Sequence, residues 1–226
     1  MTFRMLTLRA REETADTLVI ALPGLQVTPE DFVARGLVAA LQARVAADVT
    51  ALAIDPNDYF ERDFTSRLRN EILLPARDGG YARIVILALS LGALGALRYA
   101  ERASEDLDGL ILLAPFLGNP GTIAEVERAG GLGAWIPAPL SRSDIERPGL
   151  LWLKSHTAGA PARPWLHLGF GTEDRFRAGA RLLAASLPPD CITALPGDHD
   201  WPTWARLWQA MLDHLPLTKR QENLVR

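Results

Sequence analysis

The chain has 226 residues, of which 48% are hydrophobic and 23% are charged, and its formal net charge is −3 at pH 7. This length and composition are typical of one globular domain, so we expect residues 1–226 to form a single domain. The negative charge argues against a nucleic-acid partner, the one cysteine (Cys191) excludes an internal disulfide, and no apolar run is long enough to span a membrane.

Short apolar segments alternate with segments of helical periodicity, a pattern typical of a parallel sheet covered by helices. Residues 1–17 lack the apolar stretch of a secretion signal, so we expect a cytoplasmic protein, with an edge strand within 1–9. The other predicted strands, rich in Val, Ile and Leu, are 18–22, 49–54, 83–89, 109–113, 165–168 and 192–195. The predicted helices are 29–47 (with Thr28 as its N-cap), 61–74, one ending near 102, 175–186 and 203–214. The sequence therefore predicts an α/β fold with a mostly parallel central sheet flanked by helices.

Ser90 lies in the pentapeptide Ala88-Leu89-Ser90-Leu91-Gly92, between a predicted strand and a predicted helix. A serine on such a sharp turn projects its hydroxyl beyond the edge of the sheet, where a substrate can reach it. The positions two before and two after the serine crowd each other and require small residues, usually glycines; here they are Ala88 and Gly92. So short a pattern, taken alone, fits a structural turn as well as a nucleophile.

An acidic turn and a histidine turn follow two later predicted strands. Asp174 ends the turn 171–174, and His199 lies in the turn 197–200. The chain order Ser90, Asp174, His199 is the one found in α/β-hydrolases and differs from the orders of the other well-known serine triads. On these residues the chain resembles the α/β-hydrolase family, from about residue 18 to residue 215.

The resemblance implies an α/β-hydrolase fold in which His199 activates the Ser90 hydroxyl and Asp174 orients the imidazole. It also implies an oxyanion hole of two backbone N–H groups. By position these belong to Leu91, directly after the serine, and to Leu25, in the loop after the first central strand. Family members often carry His-Gly in that loop, whereas this chain has Pro23-Gly24, so the support of the loop is left open.

Residues 117–163 interrupt the alternation of strands and helices with many glycines and prolines. Loops this long within one domain usually have a function, and in the α/β-hydrolase fold an insertion here forms a small cap over the active site. We therefore predict a cap over 117–163, with Trp135 as a substrate contact. The alternative is a surface excursion in which Trp135 and Trp152 pack against the core.

Other residues of the same types are expected to have structural roles. His167 lies within a predicted strand and is expected to be a hydrogen-bonded core histidine, and Cys191 is expected to be a small core residue. Glu173 is the nearest rival to Asp174, and Asp200 is expected to cap the last helix. The tryptophans of that helix are expected to pack in the core: Trp201, Trp204 and Trp208.

The turn around His199, with Trp201 and Trp204, is similar to the histidine loop of esterase-D-like esterases. We therefore predict a serine hydrolase that cleaves small carboxylic esters through an acyl-enzyme on Ser90. Two alternatives stay open: a thioesterase or acyltransferase with the same triad, and a catalytically inert scaffold that acts as a binding protein. The sequence contains neither clustered Cys and His residues nor a phosphate-binding glycine motif, so no metal and no cofactor is expected.

Overall fold

A seven-stranded sheet lies at the centre of the computed structural model, which describes residues 2–10, 15–141, 143–159 and 164–217. The strands lie in the order β1-β3-β2-β4-β5-β6-β7, and every neighbouring pair is parallel except β1 and β3. Their bounds are Arg4–Leu8 (β1), Thr17–Leu22 (β2), Ala47–Ala53 (β3), Arg83–Leu89 (β4), Gly109–Leu113 (β5), Trp165–Gly171 (β6) and Ile192–Leu195 (β7). The predicted mostly parallel sheet is confirmed, and the predicted edge strand within 1–9 corresponds to β1, although Met1 lies outside the described residues.

Helices cover both faces of the sheet. Their bounds are Pro29–Ala34 (α1), Leu37–Gln42 (α2), Phe64–Leu68 (α3), Leu74–Asp78 (α4), Gly92–Ala103 (α5), Pro120–Arg128 (α6), Arg147–Thr157 (α7), Arg177–Ala184 (α8) and Trp201–Leu212 (α9). Alternate residues of β2 enter two apolar cores, one shared with α1, α2 and α9 and the other with α3 to α8. None of these described helices has both the length and the apolar character needed to cross a bilayer.

The parallel sheet brings the ends of β4, β6 and β7 to one edge. Because parallel strands share their direction, their carboxyl ends lie on the same side of the sheet. β2 and β4 pair with each other. After β2 the chain forms β3 on one side of it and then crosses to β4 on the other side, so the order of the strands reverses at this point. A crevice for a ligand is expected at such a reversal, and the loops that follow β2 and β4 both begin there.

The predicted helix over 29–47 is wrong in its second half. Gly36 adopts φ = +79°, a left-handed conformation that stops α1 and starts α2 at a new angle. Ala47 is already the first residue of β3. The predicted start is confirmed, because the Thr28 side chain accepts a hydrogen bond from the backbone N–H of Asp31.

Residues 117–163 divide into two helices with different neighbours. α6 packs against α8, whereas α7 packs against α5 as an ordinary covering helix. The approach of α7 to α5 is close, since a methyl group on Gly149 would lie 2.9 Å from the Cβ of Leu97. The cap therefore stays a prediction only for the part before α7; residues 142 and 160–163 lie outside the described residues.

His167 is buried on β6, as predicted, but its Nε2 has no hydrogen-bond partner in the described structure. Burial lowers its pKa to about 4, with the nearby His214 as a smaller cause in the same direction. Cys191 is half-buried in the turn before β7 and is not a core residue.

We expect His167 to make folding less favourable as the pH falls from about 6.5 towards 4. The unfolded chain takes up a proton in this range and the folded one does not, so stability is lost on acidification. The loss is a few kcal/mol at most, because one pKa unit corresponds to about 1.4 kcal/mol. Denaturant unfolding at several pH values should show a shallower acid decline for His167→Leu than for the wild type. Equal declines would contradict this role for His167.

Candidate active site

Ser90 lies on a sharp turn between β4 and α5. Its φ is +51°, a left-handed value that is uncommon for a residue other than glycine. Backbone hydrogen bonds hold this conformation: the N–H of Ser90 donates to the carbonyl of Leu113 (3.0 Å), and its own carbonyl accepts from the N–H of Phe116 (2.9 Å). The turn thus fixes the serine at the edge of the sheet.

The structure brings the three predicted site residues together. The Oγ of Ser90 lies 2.9 Å from the Nε2 of His199, and the Nδ1 of His199 lies 2.7 Å from the Oδ2 of Asp174. The imidazole side chain is 6% exposed and the carboxylate 2%. A neutral imidazole that donates its Nδ1–H to the carboxylate has a free lone pair on Nε2, which can accept the serine proton.

Asp174 is better placed than its rival Glu173. The second carboxylate oxygen of Asp174 accepts a hydrogen bond from the N–H of Phe176 (2.7 Å), so both oxygens are held. Glu173 is exposed, and its carboxylate accepts from the N–H of Gly197 and from the hydroxyl of Thr172 (2.8 Å). These bonds lower the pKa of Glu173, the Thr172 bond more than the Gly197 bond. Glu173 therefore holds the turn that carries the histidine instead of contacting the ring.

The two aspartates beside His199 also contact backbone atoms. Asp198 accepts from the N–H of His199 (2.7 Å), and Asp200 accepts from the N–H of Thr203 (2.9 Å). Asp200 is the N-cap of α9, as the sequence predicts.

Aromatic side chains contact the imidazole with their rings nearly perpendicular to it. The centroids of Phe176 and Trp204 lie 4.9 Å and 5.0 Å from that of His199, at interplanar angles of 90° and 81°. Such edge-to-face contacts stabilise the ring in the orientation that faces Ser90 and Asp174. Trp204 and Trp208 are buried and Trp201 is half-buried, but the sequence analysis missed Phe176. The available signal was its position two residues after Asp174.

The loop after β2 approaches Ser90 closely. A methyl group on Gly24 would lie 3.0 Å from the Cβ of Ser90, so any larger residue here would push against the serine. Leu25 follows, with 58% of its surface exposed, and Leu91 directly precedes α5. In the described structure neither Leu25 nor Leu91 has a hydrogen-bond acceptor for its backbone N–H. Both groups are available to a ligand, as an oxyanion hole requires.

Tyr59 supports the loop that contains Pro23 and Gly24. Its hydroxyl donates to the carbonyl oxygen of Pro23 (2.8 Å), and burial raises its pKa well above the usual value, so that it stays a donor. Gly95 of α5 leaves space for its ring, which would overlap any β-carbon there. The guanidinium of Arg98 donates to the carbonyl of Tyr59. No sequence motif indicates this support.

Trp135 does not present its ring to a ligand in this structure. The residue is 1% exposed, and its indole Nε1 donates to the Oε1 of Glu125 (3.0 Å). Its carbonyl accepts from the ammonium of Lys154 on α7 (2.6 Å). The expected role of Trp135 as a substrate contact is therefore wrong for this structure, and the residue packs in the core, as the alternative stated.

Substitution of Gly92 by alanine is expected to damage both the fold and the site. The new methyl group would overlap the carbonyl oxygen of Leu22 and lie 3.0 Å from that of Pro23, so the loop carrying Leu25 would have to move. Overpacking of this kind costs about 1–3 kcal/mol, which outweighs the gain of about 1 kcal/mol that alanine gives within a helix. Denaturant unfolding should therefore show a loss of stability, and any turnover that depends on Ser90 should fall by at least about tenfold.

Gly133→Ala is the matched control, because a methyl group at Gly133 meets no atom within 4 Å. It should leave the unfolding midpoint and the turnover nearly unchanged. If Gly92→Ala had the same stability and turnover as Gly133→Ala, the close approach of Gly92 to the backbone of Leu22 and Pro23 would be contradicted.

Comparison with known proteins shows the fold. No family model and no curated protein sequence matches the chain. Among solved structures, a monoacylglycerol lipase from Paleococcus ferrophilus is 17% identical, with a TM-score of 0.59 over 95% of this chain and 100% of that one. Fluorophosphonate-binding serine hydrolase F from Staphylococcus aureus (12%, 0.61, 94% and 98%) and Est1E from Butyrivibrio proteoclasticus with bound ferulic acid (13%, 0.60, 94% and 95%) are also similar. The chain thus has the α/β-hydrolase fold that the sequence predicts.

Proposed function

We propose that this protein is a serine hydrolase that cleaves carboxylic esters through an acyl-enzyme on Ser90. The observation that carries the proposal is the chain of two short contacts, Ser90 Oγ to His199 Nε2 and His199 Nδ1 to Asp174 Oδ2. The similar folds of proteins named as a lipase and as a serine hydrolase support it, although a fold alone does not determine an activity.

In the first half of the reaction, the Oγ of Ser90 attacks the ester carbonyl carbon while its proton passes to the Nε2 of His199. The negative charge that develops on the carbonyl oxygen is stabilised by the backbone N–H groups of Leu25 and Leu91. The intermediate collapses, the bond to the alcohol oxygen breaks, and His199 returns the proton to that oxygen. The alcohol leaves, and the acyl group stays on Ser90.

In the second half, a water molecule gives a proton to His199 and its oxygen attacks the acyl carbon. Collapse of this intermediate breaks the bond to the Oγ of Ser90, which regains the proton from His199, and the carboxylic acid leaves. Asp174 holds the Nδ1–H throughout and stabilises the imidazolium that forms in each half.

The test is labelling with a fluorophosphonate probe together with turnover of p-nitrophenyl butyrate, a neutral short-chain ester. Wild type should be labelled and active, and so should a control lacking the exposed serine Ser155 of α7 (Ser155→Ala). Folded protein that takes no label and cleaves no ester would contradict the proposal and favour the inert scaffold. Turnover of butyryl-CoA far above that of the ester would favour a thioesterase or acyltransferase, which uses the same residues.

The cytoplasmic location of the protein stays a prediction.

A further inference from the structure

We infer that the groove between α6 and α8 binds an anionic group, a carboxylate or a phosphate, that is part of the ester substrate. The inference rests on the proposed hydrolysis at Ser90 and adds a substrate class to it. Three features carry it: a cavity that adjoins the triad, a groove with excess positive charge that continues from the cavity, and arginines without carboxylate partners.

The cavity has a volume of about 240 Å³ and apolar walls, which include Leu117, Ile123 and Phe176. Phe176 is also in edge contact with the imidazole of His199. Phe116, directly before Leu117, donates its N–H to the carbonyl of Ser90 and packs its ring against Phe176 (5.3 Å between centroids). One wall of the cavity is therefore continuous with the triad.

A larger groove of about 570 Å³ continues from this cavity and shares Glu127, Arg175 and Ala178 with it. It adds Arg177 and Arg181, so three guanidinium groups and one carboxylate line it. This local excess of positive charge contrasts with the net charge of −3 of the whole chain. Such a concentration of one sign of charge in a groove attracts ligands of the opposite sign.

None of the three arginines forms an ion pair with a carboxylate of the described residues. No carboxylate of the described residues lies within 4.0 Å of the guanidinium of Arg175 or Arg181. Arg175 lies over the ring of Phe176, 4.9 Å from its centroid, and Arg177 donates to the carbonyl of Asp174 (3.1 Å). Several arginines elsewhere in the described chain pair closely with carboxylates, as Arg147 does with Glu125 (2.5 Å), whereas others, such as Arg128, donate only to a backbone carbonyl.

Phe176 links the triad to the cavity, and the residues shared by the cavity and the groove link the cavity to the arginines. With its carbonyl at Ser90, an ester would place an apolar segment against Leu117 and Ile123 and its far end near Arg175 and Arg181. The planar guanidinium group donates parallel hydrogen bonds that match the oxygens of a carboxylate or a phosphate. The carboxylate of Glu127, on α6, lines the same groove and would repel an anion there. Removal of this negative charge should therefore improve binding of an anion.

The experiment compares three anionic esters with their methylated, neutral counterparts. One ester carries a carboxylate on the acyl side, one a carboxylate on the alcohol side, and one a phosphate on the alcohol side. For at least one of them, Arg175→Gln combined with Arg181→Gln should lower kcat/KM by about tenfold, mainly through KM, because each exposed charge pair is weak. Turnover of the neutral counterpart should stay within about twofold. The three arms identify the anion and the side of the ester that carries it.

Two further variants separate binding in the groove from general charge. Arg128→Gln removes the same charge from an exposed residue of α6 that does not line the groove, and it should have little effect. Glu127→Gln should raise kcat/KM for the anionic ester, and high salt should reduce the preference in the wild type.

The inference is overturned if the double variant changes anionic and neutral esters alike, or changes neither, while the neutral esters are still cleaved. If the folded wild type cleaves none of the esters and takes no fluorophosphonate label, the proposed hydrolysis fails and the inference fails with it.

Discussion

Ser90→Ala should lower kcat for ester hydrolysis by about 10⁵- to 10⁶-fold, the effect of removing the nucleophile from a serine triad. The hydroxyl is the atom that would form the acyl-enzyme, and a methyl group cannot replace it. The residual rate should still exceed the rate of the uncatalysed hydrolysis in water, because the N–H groups of Leu25 and Leu91 would still stabilise the oxyanion.

The same substitution should leave the stability almost unchanged. The hydroxyl contacts the Nε2 of His199, and one hydrogen bond of this kind contributes about 1 kcal/mol. The backbone bonds that hold the left-handed turn, from Ser90 to Leu113 and from Phe116 to Ser90, do not involve the side chain. Active-site titration, steady-state kinetics and thermal unfolding of both proteins test this. Full turnover by the alanine variant would exclude Ser90 as the nucleophile.

The sequence predicted those parts of the site that depend on strand ends. Apolar runs such as Ile84–Leu89 identify buried parallel strands, and the carboxyl ends of parallel strands meet at one edge of the sheet. For that reason Ser90, Asp174 and His199 could be expected to come together although they are far apart in sequence. The sequence favoured Asp174 over Glu173 by position in the turn alone; the physical difference is tertiary, because Asp174 is buried against the imidazole whereas Glu173 is exposed and accepts from the N–H of Gly197.

The parts that the sequence did not predict depend on tertiary packing. The side chain of Tyr59 reaches Pro23 because Gly95 leaves space on α5, and no local pattern records that coincidence. Trp135 is buried within an apolar core and its indole N–H reaches Glu125, but in sequence an isolated tryptophan in a glycine-rich stretch is equally consistent with an exposed binding residue. In these cases hydrophobic periodicity and turn residues carry no information about the contact.

Asp174→Asn should lower kcat by about 10³- to 10⁴-fold at neutral pH, less than the loss from Ser90→Ala. A carboxylate oxygen accepts the Nδ1–H of His199 and so leaves the lone pair on Nε2, facing Ser90. The amide of asparagine can instead donate to Nδ1, and the single proton of the neutral imidazole then lies on Nε2. In this tautomer Nε2 cannot accept the proton of the serine. The imidazolium also loses the negative charge that lies 2.7 Å from its ring. The effect should appear in kcat with little change in KM, since the carboxylate is buried behind the histidine.

Glu173→Gln is the matched control, because it makes the same change of charge at the adjacent residue. Its side chain holds Gly197 and Thr172 and does not touch the imidazole, so we expect a decrease of less than about tenfold through a looser histidine turn. Steady-state kinetics of both variants on p-nitrophenyl butyrate, with thermal unfolding to confirm folding, give the comparison. If Glu173→Gln lost as much activity as Asp174→Asn, the acid that orients the imidazole would be the exposed glutamate, and the histidine would have to turn away from the carboxylate that it contacts in this structure.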